Sequence, residues 1–555
     1  MLKNKCGIFK SDLFNYSLLI LLGIWFFIPF LGKVHLFDWD EANFGEAARE
    51  MLQTGNFMRV TINYEPFWEK PPLFFWFQSM SMKTFGVGEF AARLPNAVFG
   101  ILTLVLVYTI GRKIYDRKFG LLWAGGFLGS FLPHFFFKSG IMDPVFNFFI
   151  FLGISLIAFA ITIDNRKKRI MLFSFAGVST GLAILTKGPV AFLVTALTLG
   201  ILWLLNRKSK PISIGDATIY TLAMCFTAGI FYGTETLLHG TWFIEEFIKY
   251  QIRLFRTGDA GHGRPFYFHF VIILFGCFPA SFFAIRSFFK RDEEQPLQKL
   301  FNKLMIILFL VVLILFSIVK TKTVLYSSLT YFPITFLAAL HLHGLINGKL
   351  EWNRRLGYAL ISFSVLVGLI ITAFPILLYN KDWLIPLIKD KFAAANLQRP
   401  VVWSGYEFLL GIAYLIALTF SFVFISRKKF KTGIISFFAS SALCLQVFMF
   451  VFTPKMEQYT QGGPIQFFKE KSQEDVYVRS LHKSYTDMFY SRLRINDNPK
   501  SRDKEWLLTG PIDKPVYFVG RNTKKKKYEK YTDLKIIKEE YGFVYYKRDI
   551  PSNNP

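Results

Sequence analysis

The chain has 555 residues, of which 53% are hydrophobic, 18% aromatic and only 19% charged, with a formal net charge of +27. A soluble protein of this length needs more polar surface, and coiled coils, collagen and disordered chains do not carry so apolar and aromatic a mixture, so the composition selects a polytopic membrane protein. The positive charge is not a nucleic-acid footprint, because Lys and Arg stand in short clusters between long apolar runs, and no nucleic-acid partner is expected.

The first apolar run, 14–31, is long enough to span and lacks a small-residue cleavage site, so it reads as a first span rather than a signal peptide. About thirteen spans of ~20 residues follow from the apolar runs. They cover roughly 14–32, 93–111, 119–138, 144–163, 170–186, 188–205, 217–237, 267–285, 302–319, 324–343, 357–379, 405–426 and 432–453. Between the fifth and sixth, Lys-Gly-Pro at 187–189 reads as a tight turn at the membrane surface.

The N-terminal tail carries Lys3, Lys5 and Lys10, and every second connection after it is basic. These are Arg112 to Lys118, Arg166 to Arg169, Arg207 to Lys210, Arg286 to Arg291, Lys349 to Arg355 and Arg427 to Lys431. The positive-inside bias makes them cytoplasmic. The opposite face then holds loop 33–92, the turns 138–143 and 187–189, loop 238–266, connection 320–326, loop 380–404 and the tail 455–555. Nearly all the unusual polar residues lie there. The fold class expected is a polytopic all-α membrane domain (1–454) followed by a small extracytoplasmic α/β domain (455–555). Strand-like runs at 515–519 and 541–546 suggest the latter, and the basic run Lys524 to Lys527 reads as a solvated turn. The cysteines Cys6, Cys225, Cys277 and Cys444 form no CxxC pair, which argues against a disulfide framework or a thiolate zinc site.

Two motifs in the first outer loop bear on chemistry. Phe37-Asp-Trp-Asp-Glu-Ala-Asn-Phe-Gly-Glu46 opens a stretch with helical apolar spacing at Ala47, Ala48, Met51 and Leu52, expected to lie along the membrane. Asp40 and Glu41 are either its N-terminal cap and first-turn acids or chemical groups. Tyr64-Glu-Pro-Phe-Trp-Glu-Lys-Pro-Pro-Leu73 sets Glu69 and Lys70 side by side, pointing to opposite sides if the chain is extended, before two prolines that stiffen the backbone.

The order of Asp40-Glu41, Glu69-Lys70-Pro-Pro-Leu73 and Phe90-Ala-Ala-Arg-Leu94 resembles the first outer loop of GT-C membrane glycosyltransferases, which use polyprenyl-phosphate sugars. The branch it resembles includes the lipid A 4-amino-4-deoxy-L-arabinose transferases, with protein O-mannosyltransferases more distant. Met142-Asp143-Pro144, Thr186-Lys187-Gly-Pro189, Asp259-Ala-Gly-His-Gly-Arg-Pro265 and Lys322-Thr-Val-Leu-Tyr326 resemble further elements in family order. The resemblance implies Asp40 as the catalytic carboxylate, with Glu41 and Asp143 as further acids of the catalytic group. It implies Lys70 as the leading donor-phosphate ligand, joined by Lys187, Arg253, Arg256 and Arg264. Tyr64, Lys322 and Tyr326 would line the substrate pocket. Glu69 and His262 resemble a metal pair for a divalent ion (Zn, Mg or Mn), although a Glu–His hydrogen bond explains the same residues. The implied partners are a polyprenyl-phosphate sugar donor, a lipid, glycan or protein acceptor, and the membrane.

The chemistry suits these residue types. A carboxylate stabilises oxocarbenium character and accepts the acceptor's proton, and cations neutralise the departing phosphate. No GxGxxG after a strand and no Walker loop is visible, in keeping with a lipid-linked donor. A transporter would carry ionisable residues at span centres, whereas here they gather at the outer ends. A protein O-mannosyltransferase-like enzyme acting on Ser/Thr fits the same residues.

Reporter fusions test the topology. Fusions near 115, 167, 208, 290, 352 and 429 should report inside, and those near 60, 255, 390 and in the tail outside. A cytoplasmic tail would overturn this arrangement.

Overall fold

The computed structural model describes residues 11–206, 212–258, 263–289 and 295–551. The N-terminal lysines, the basic run Arg207 to Lys210, Lys290 and Arg291, and His262 lie outside the described residues.

All thirteen predicted spans fall on helices. Among the described residues, nine helices are long and apolar enough to cross a membrane, or ten if the bent pair Phe268–Gly276 and Ala280–Ser287 is one span. The expectation of thirteen uniform spans needs correcting in four places, the bent pair within 267–285 being one. The first helix is only Asp12–Phe27, because the chain turns before Pro29. Val190–Leu205 is also short. The third predicted span breaks at Ser130 into Arg117–Leu128 and Phe131–Phe136. The Lys-Gly-Pro turn is as expected. Gly188 takes φ 102, and a Cβ there would meet the Phe247 ring at 2.4 Å, so only glycine lets the helices Arg166–Lys187 and Val190–Leu205 join this tightly.

The first outer loop folds into the helix Asp40–Thr54, a two-residue hairpin of β1 (Thr61–Ile62) and β2 (Glu65–Pro66), and the helix Leu73–Phe85. The helix Asp40–Thr54, whose apolar spacing suggested one buried and one open face, is enclosed by protein on all sides along most of its length. Every residue from Glu41 to Met51 is buried, polar ones included. It is covered on one side by Leu73–Phe85 and on the other by the tail helix Thr486–Ser491.

The tail is a four-stranded mixed sheet in the order β3 (Tyr477–Ser480), β4 (Val516–Arg521), β6 (Phe543–Arg548), β5 (Lys535–Glu540). β3 runs parallel to β4, with Tyr477 opposite Val516, and the other pairings are antiparallel. The two predicted strands are β4 and β6. Tyr541 and Gly542, expected in a strand, instead form the turn between β5 and β6, both at positive φ as a two-residue hairpin requires. The basic run Lys525–Tyr528 is a short helix rather than a turn, anchored by buried Tyr528, whose hydroxyl donates to the Leu481 carbonyl at 2.9 Å.

The tail docks on the first outer loop through buried polar groups. Arg49 forks onto Glu46 at 2.6 and 2.7 Å and also donates to the Leu493 carbonyl at 2.9 Å. Arg479 of β3 donates to Asn63 Oδ1 at 2.6 Å. Glu50 Oε2 accepts from the Thr61 hydroxyl at 2.7 Å and the Tyr64 N–H at 2.9 Å, while its Oε1 has no partner among the described residues. Burial, reinforced by Glu46 and opposed by Arg49, pushes the Glu50 carboxyl up to about 8.

A pH dependence follows from Glu50. The folded protein keeps a proton that an unfolded Glu releases near 4.5, so this contribution is full at acid pH and is lost as pH rises towards 8. The melting temperature in detergent should therefore fall as pH rises from 4.5 to about 8. Glu50→Gln, which stays neutral, should flatten that slope. An unchanged slope in the variant would remove Glu50 as its source.

Candidate active site

The site is built outward from Glu41. Arg93, in the helix Glu89–Ile114, donates from Nε to Glu41 Oε1 at 2.9 Å and from Nη2 to Oε2 at 2.6 Å. Its remaining N–H groups reach the carbonyls of Leu31 at 2.8 Å, Val34 at 2.6 Å and His35 at 2.9 Å. Glu41 also accepts the N–H groups of Phe37 and Gly140. Arg93 and these amides hold its carboxyl below the usual range against the opposing effect of burial. One ion pair thus ties together the end of the first helix, the outer loop, the helix Asp40–Thr54 and the turn before Asp143. Glu41, grouped by sequence with the catalytic acids, has its carboxylate fully engaged in this structural bond.

Successive residues of a helix point about 100° apart. With Glu41 committed to Arg93, Asp40 faces a cavity of about 850 Å³ with its carboxylate uncommitted, in a wall that Glu41 and Arg93 also help to form. Asp40 is not the helix cap: Trp39 holds that position, and Asp40 is the first helical residue. Among the described residues its carboxylate makes no hydrogen bond or ion pair. Enclosure by protein raises its pKa, Lys70 and Lys187 pull it down, and Asp143 and Glu69 push it up.

Lys70 lines the same cavity rather than an open surface loop. Its Nζ stands 3.5 Å from the Tyr250 hydroxyl and 4.9 Å from that ring's centre. Burial lowers its pKa, with Glu69 and Asp40 opposing. The backbone bends at Glu69 and Lys70, so both side chains face the cavity and not opposite sides as an extended chain would have them. Asp143, at the start of the helix Asp143–Ala160, is ion-paired with Lys187, whose Nζ also lies 5.3 Å from the centre of the Tyr326 ring. Arg253 and Tyr326 complete this wall. The structure therefore gathers Asp40, Asp143, Glu69, Lys70, Lys187, Arg253 and Tyr326 from six separate stretches of chain.

Other predicted residues stand apart. Tyr64 donates its hydroxyl to Gln53 and to the Leu493 carbonyl, so it serves the tail interface and not the pocket. Lys322 turns back to the Val319 carbonyl at 2.6 Å, because the 3₁₀ turn Val324–Thr330 presents Thr323 and Tyr326 inward instead. Arg256 and Arg264 are exposed and do not line the cavity, since the helix Trp242–Arg256 presents Tyr250 and Arg253 to it. His262 lies outside the described residues. Among the described residues no three His, Cys, Asp or Glu side chains gather as a metal cluster.

Several site residues carried no usable signal in sequence. Lys138 ties the carbonyls of Phe26 and Pro29 to Gln446 at 2.9 to 3.0 Å, capping the first helix. Tyr250 sits in an amphipathic helix that reads as interfacial. Lys483 and Tyr485 reach the cavity from the tail, a contact no spacing announces. Arg93 could have been found, since an arginine in an apolar helix needs a partner.

The architecture matches solved structures over its whole length. ArnT from Cupriavidus metallidurans bound to undecaprenyl phosphate superimposes with a TM-score of 0.75 at 13% identity, covering 98% of this chain and 100% of that one. The chain has the GT-C membrane fold. The same protein in the apo state gives 0.74 at 14% identity, again over 98% and 100%. In sequence, residues 69–231 match the family model for dolichyl-phosphate-mannose-protein mannosyltransferase. The undecaprenyl phosphate-alpha-4-amino-4-deoxy-L-arabinose arabinosyl transferase of Wigglesworthia glossinidia brevipalpis is 25% identical over 73% of this chain and 75% of that protein. An uncharacterized protein of Aquifex aeolicus is 29% identical over 54% of this chain and 58% of its own length. The matched region thus spans under two thirds of some relatives. The GT-C resemblance carried by the first outer loop is upheld by these comparisons.

Neighbouring acids give opposite expectations. Asp40→Asn should leave detergent stability unchanged and lower sugar transfer ~10²-fold or more, the scale of losing a general base. Glu41→Gln should instead destabilise, because breaking one partner of a buried ion pair costs about 3–5 kcal/mol. Thermal unfolding and transfer assays on both variants separate the roles. Full activity in Asp40→Asn would refute its assignment.

Proposed function

We propose that the chain transfers a sugar from a polyprenyl (undecaprenyl) phosphate donor to a lipid A or similar envelope acceptor, at the outer face of the cytoplasmic membrane. The observation that carries this reading is the unpaired Asp40 carboxylate sharing one cavity with Lys70 and Lys187. The donor phosphate sits against Lys70, Lys187 and Arg253, which offset the charge it gains as the glycosidic bond breaks. Asp40 faces the anomeric carbon, stabilises its positive character and takes the acceptor's proton. Its raised pKa suits a base that must hold a proton briefly. The site lies where the positive-inside pattern puts the outer face, and the tail forms part of it as an extracytoplasmic domain, 455–555.

Glu69 fits a metal as far as one ligand can. Its carboxylate faces the cavity beside Lys70 and makes no hydrogen bond among the described residues. Glu69 and His262 would hold a divalent ion, which when bound would add positive charge near the donor phosphate.

A second reading, transfer to Ser/Thr of proteins, is favoured by the description of the matching family model. A strain lacking the gene distinguishes the two: mass spectrometry should show loss of a sugar from envelope lipids and not from glycoproteins. With the purified chain, Lys70→Ala should reduce donor turnover ~10²-fold or more, the equivalent of ~3 kcal/mol of transition-state stabilisation. Wild-type turnover by that variant would remove Lys70 from the site. Chelation followed by metal analysis tests the Glu69–His262 pair.

A further inference from the structure

Lys483 and Tyr485 enter the cavity on the tail loop between β3 and the helix Thr486–Ser491. That loop is stapled to the first outer loop by a single oxygen. Asp38 Oδ1 accepts the Trp39 N–H at 2.9 Å and the Tyr485 N–H at 3.0 Å. The Asp38 N–H in turn donates to Gln461 at 3.1 Å. Trp39, so held, adopts φ 76 and ψ −105, a region that bulky residues rarely occupy. Such a conformation persists only where surrounding contacts impose it, and it marks sites more often than scaffolding.

The result is an ordered aromatic–cation pair beside Asp40. Lys483 Nζ lies 4.1 Å from the centre of the Trp39 ring, and the Tyr485 ring meets Trp39 edge-on at 6.0 Å. Lys483 is exposed to the cavity and forms no ion pair among the described residues, whereas Lys187 is paired with Asp143 and Arg93 with Glu41. The donor carries one phosphate, for which Lys70, Lys187 and Arg253 suffice. A cation delivered separately by the tail to the same cavity calls for a second anion. An indole face next to it suits the apolar face of a sugar ring.

We propose that Lys483 and Trp39 form the acceptor subsite, in which Lys483 binds a phosphate monoester on a glycolipid headgroup and Trp39 packs against the sugar that bears it. The inference rests on the transferase reading and adds to it the residues that choose the acceptor. Lys483 acts here in binding, not in the chemical step.

The test measures binding directly, so it does not depend on turnover. The full chain in detergent is titrated with bis-phosphorylated lipid A and with the same lipid A after dephosphorylation. Wild type should prefer the phosphorylated lipid, and Lys483→Gln should lose about tenfold or more of that affinity while binding the dephosphorylated lipid as wild type does. Lys483→Arg should restore it, and Lys530→Gln, a surface change elsewhere in the tail, should be silent. Equal binding of the phosphorylated lipid by wild type and Lys483→Gln overturns the proposal. So does a wild type that binds both lipids alike or neither. If the binding pattern holds but wild type transfers no sugar from an undecaprenyl-phosphate donor, it is the transferase reading that fails.

Discussion

The buried bond between Arg93 and Glu41 is the constraint on which the site depends. Removing two charges from water is expensive, and the cost is recovered only when every remaining donor and acceptor is satisfied. Here Arg93 spends its donors on Glu41 and three carbonyls, and Glu41 takes two further amides. Rotating the helix Asp40–Thr54 would break contacts in that set. The direction of Asp40 is therefore a consequence of where Glu41 is held. This also gives a physical reason for the arginine in Phe90-Ala-Ala-Arg-Leu94 to accompany the paired acids.

Two of the cavity's lysines already face carboxylates before any substrate arrives. Lys187 is occupied by Asp143, and Lys70 lies within the field of Asp40 and Glu69. An incoming lipid phosphate competes with these carboxylates for the lysines. As the phosphate draws on Lys70, Asp40 loses the counter-charge that most restrains its raised pKa, and its proton affinity increases. In the proposed reaction, donor binding thus prepares the base.

The tail is part of this machinery and not an appendage. Its contacts with residues 35–39 run through Glu457, Gln461, Tyr485 and Tyr490, so the stretch leading into Asp40 is held from outside the membrane as well as from within. Burial of Glu46, Arg49 and Glu50 between loop and tail makes that docking sensitive to protonation.

Sequence alone determined the membrane character, the helical segments, two of the tail strands and the motifs bearing Asp40, Lys70, Asp143 and Lys187. It could do so because apolar run length and local spacing are properties of neighbouring residues. The first-helix end at Phe27, the break at Ser130 and the burial of Asp40–Thr54 were not legible, since each depends on what packs against the segment. The same is true of roles within motifs. Glu41 and Asp40 are adjacent acids with equal claims until Arg93, 52 residues on, takes one of them. Tyr64 and Lys322 lie in segments that resemble the family's, yet nearby carbonyls satisfy them away from the cavity. Lys483 and Tyr485, more than 440 residues from Trp39, join the site only through tertiary docking, because a hydrogen bond such as Asp38 to the Tyr485 N–H leaves no periodicity in the chain.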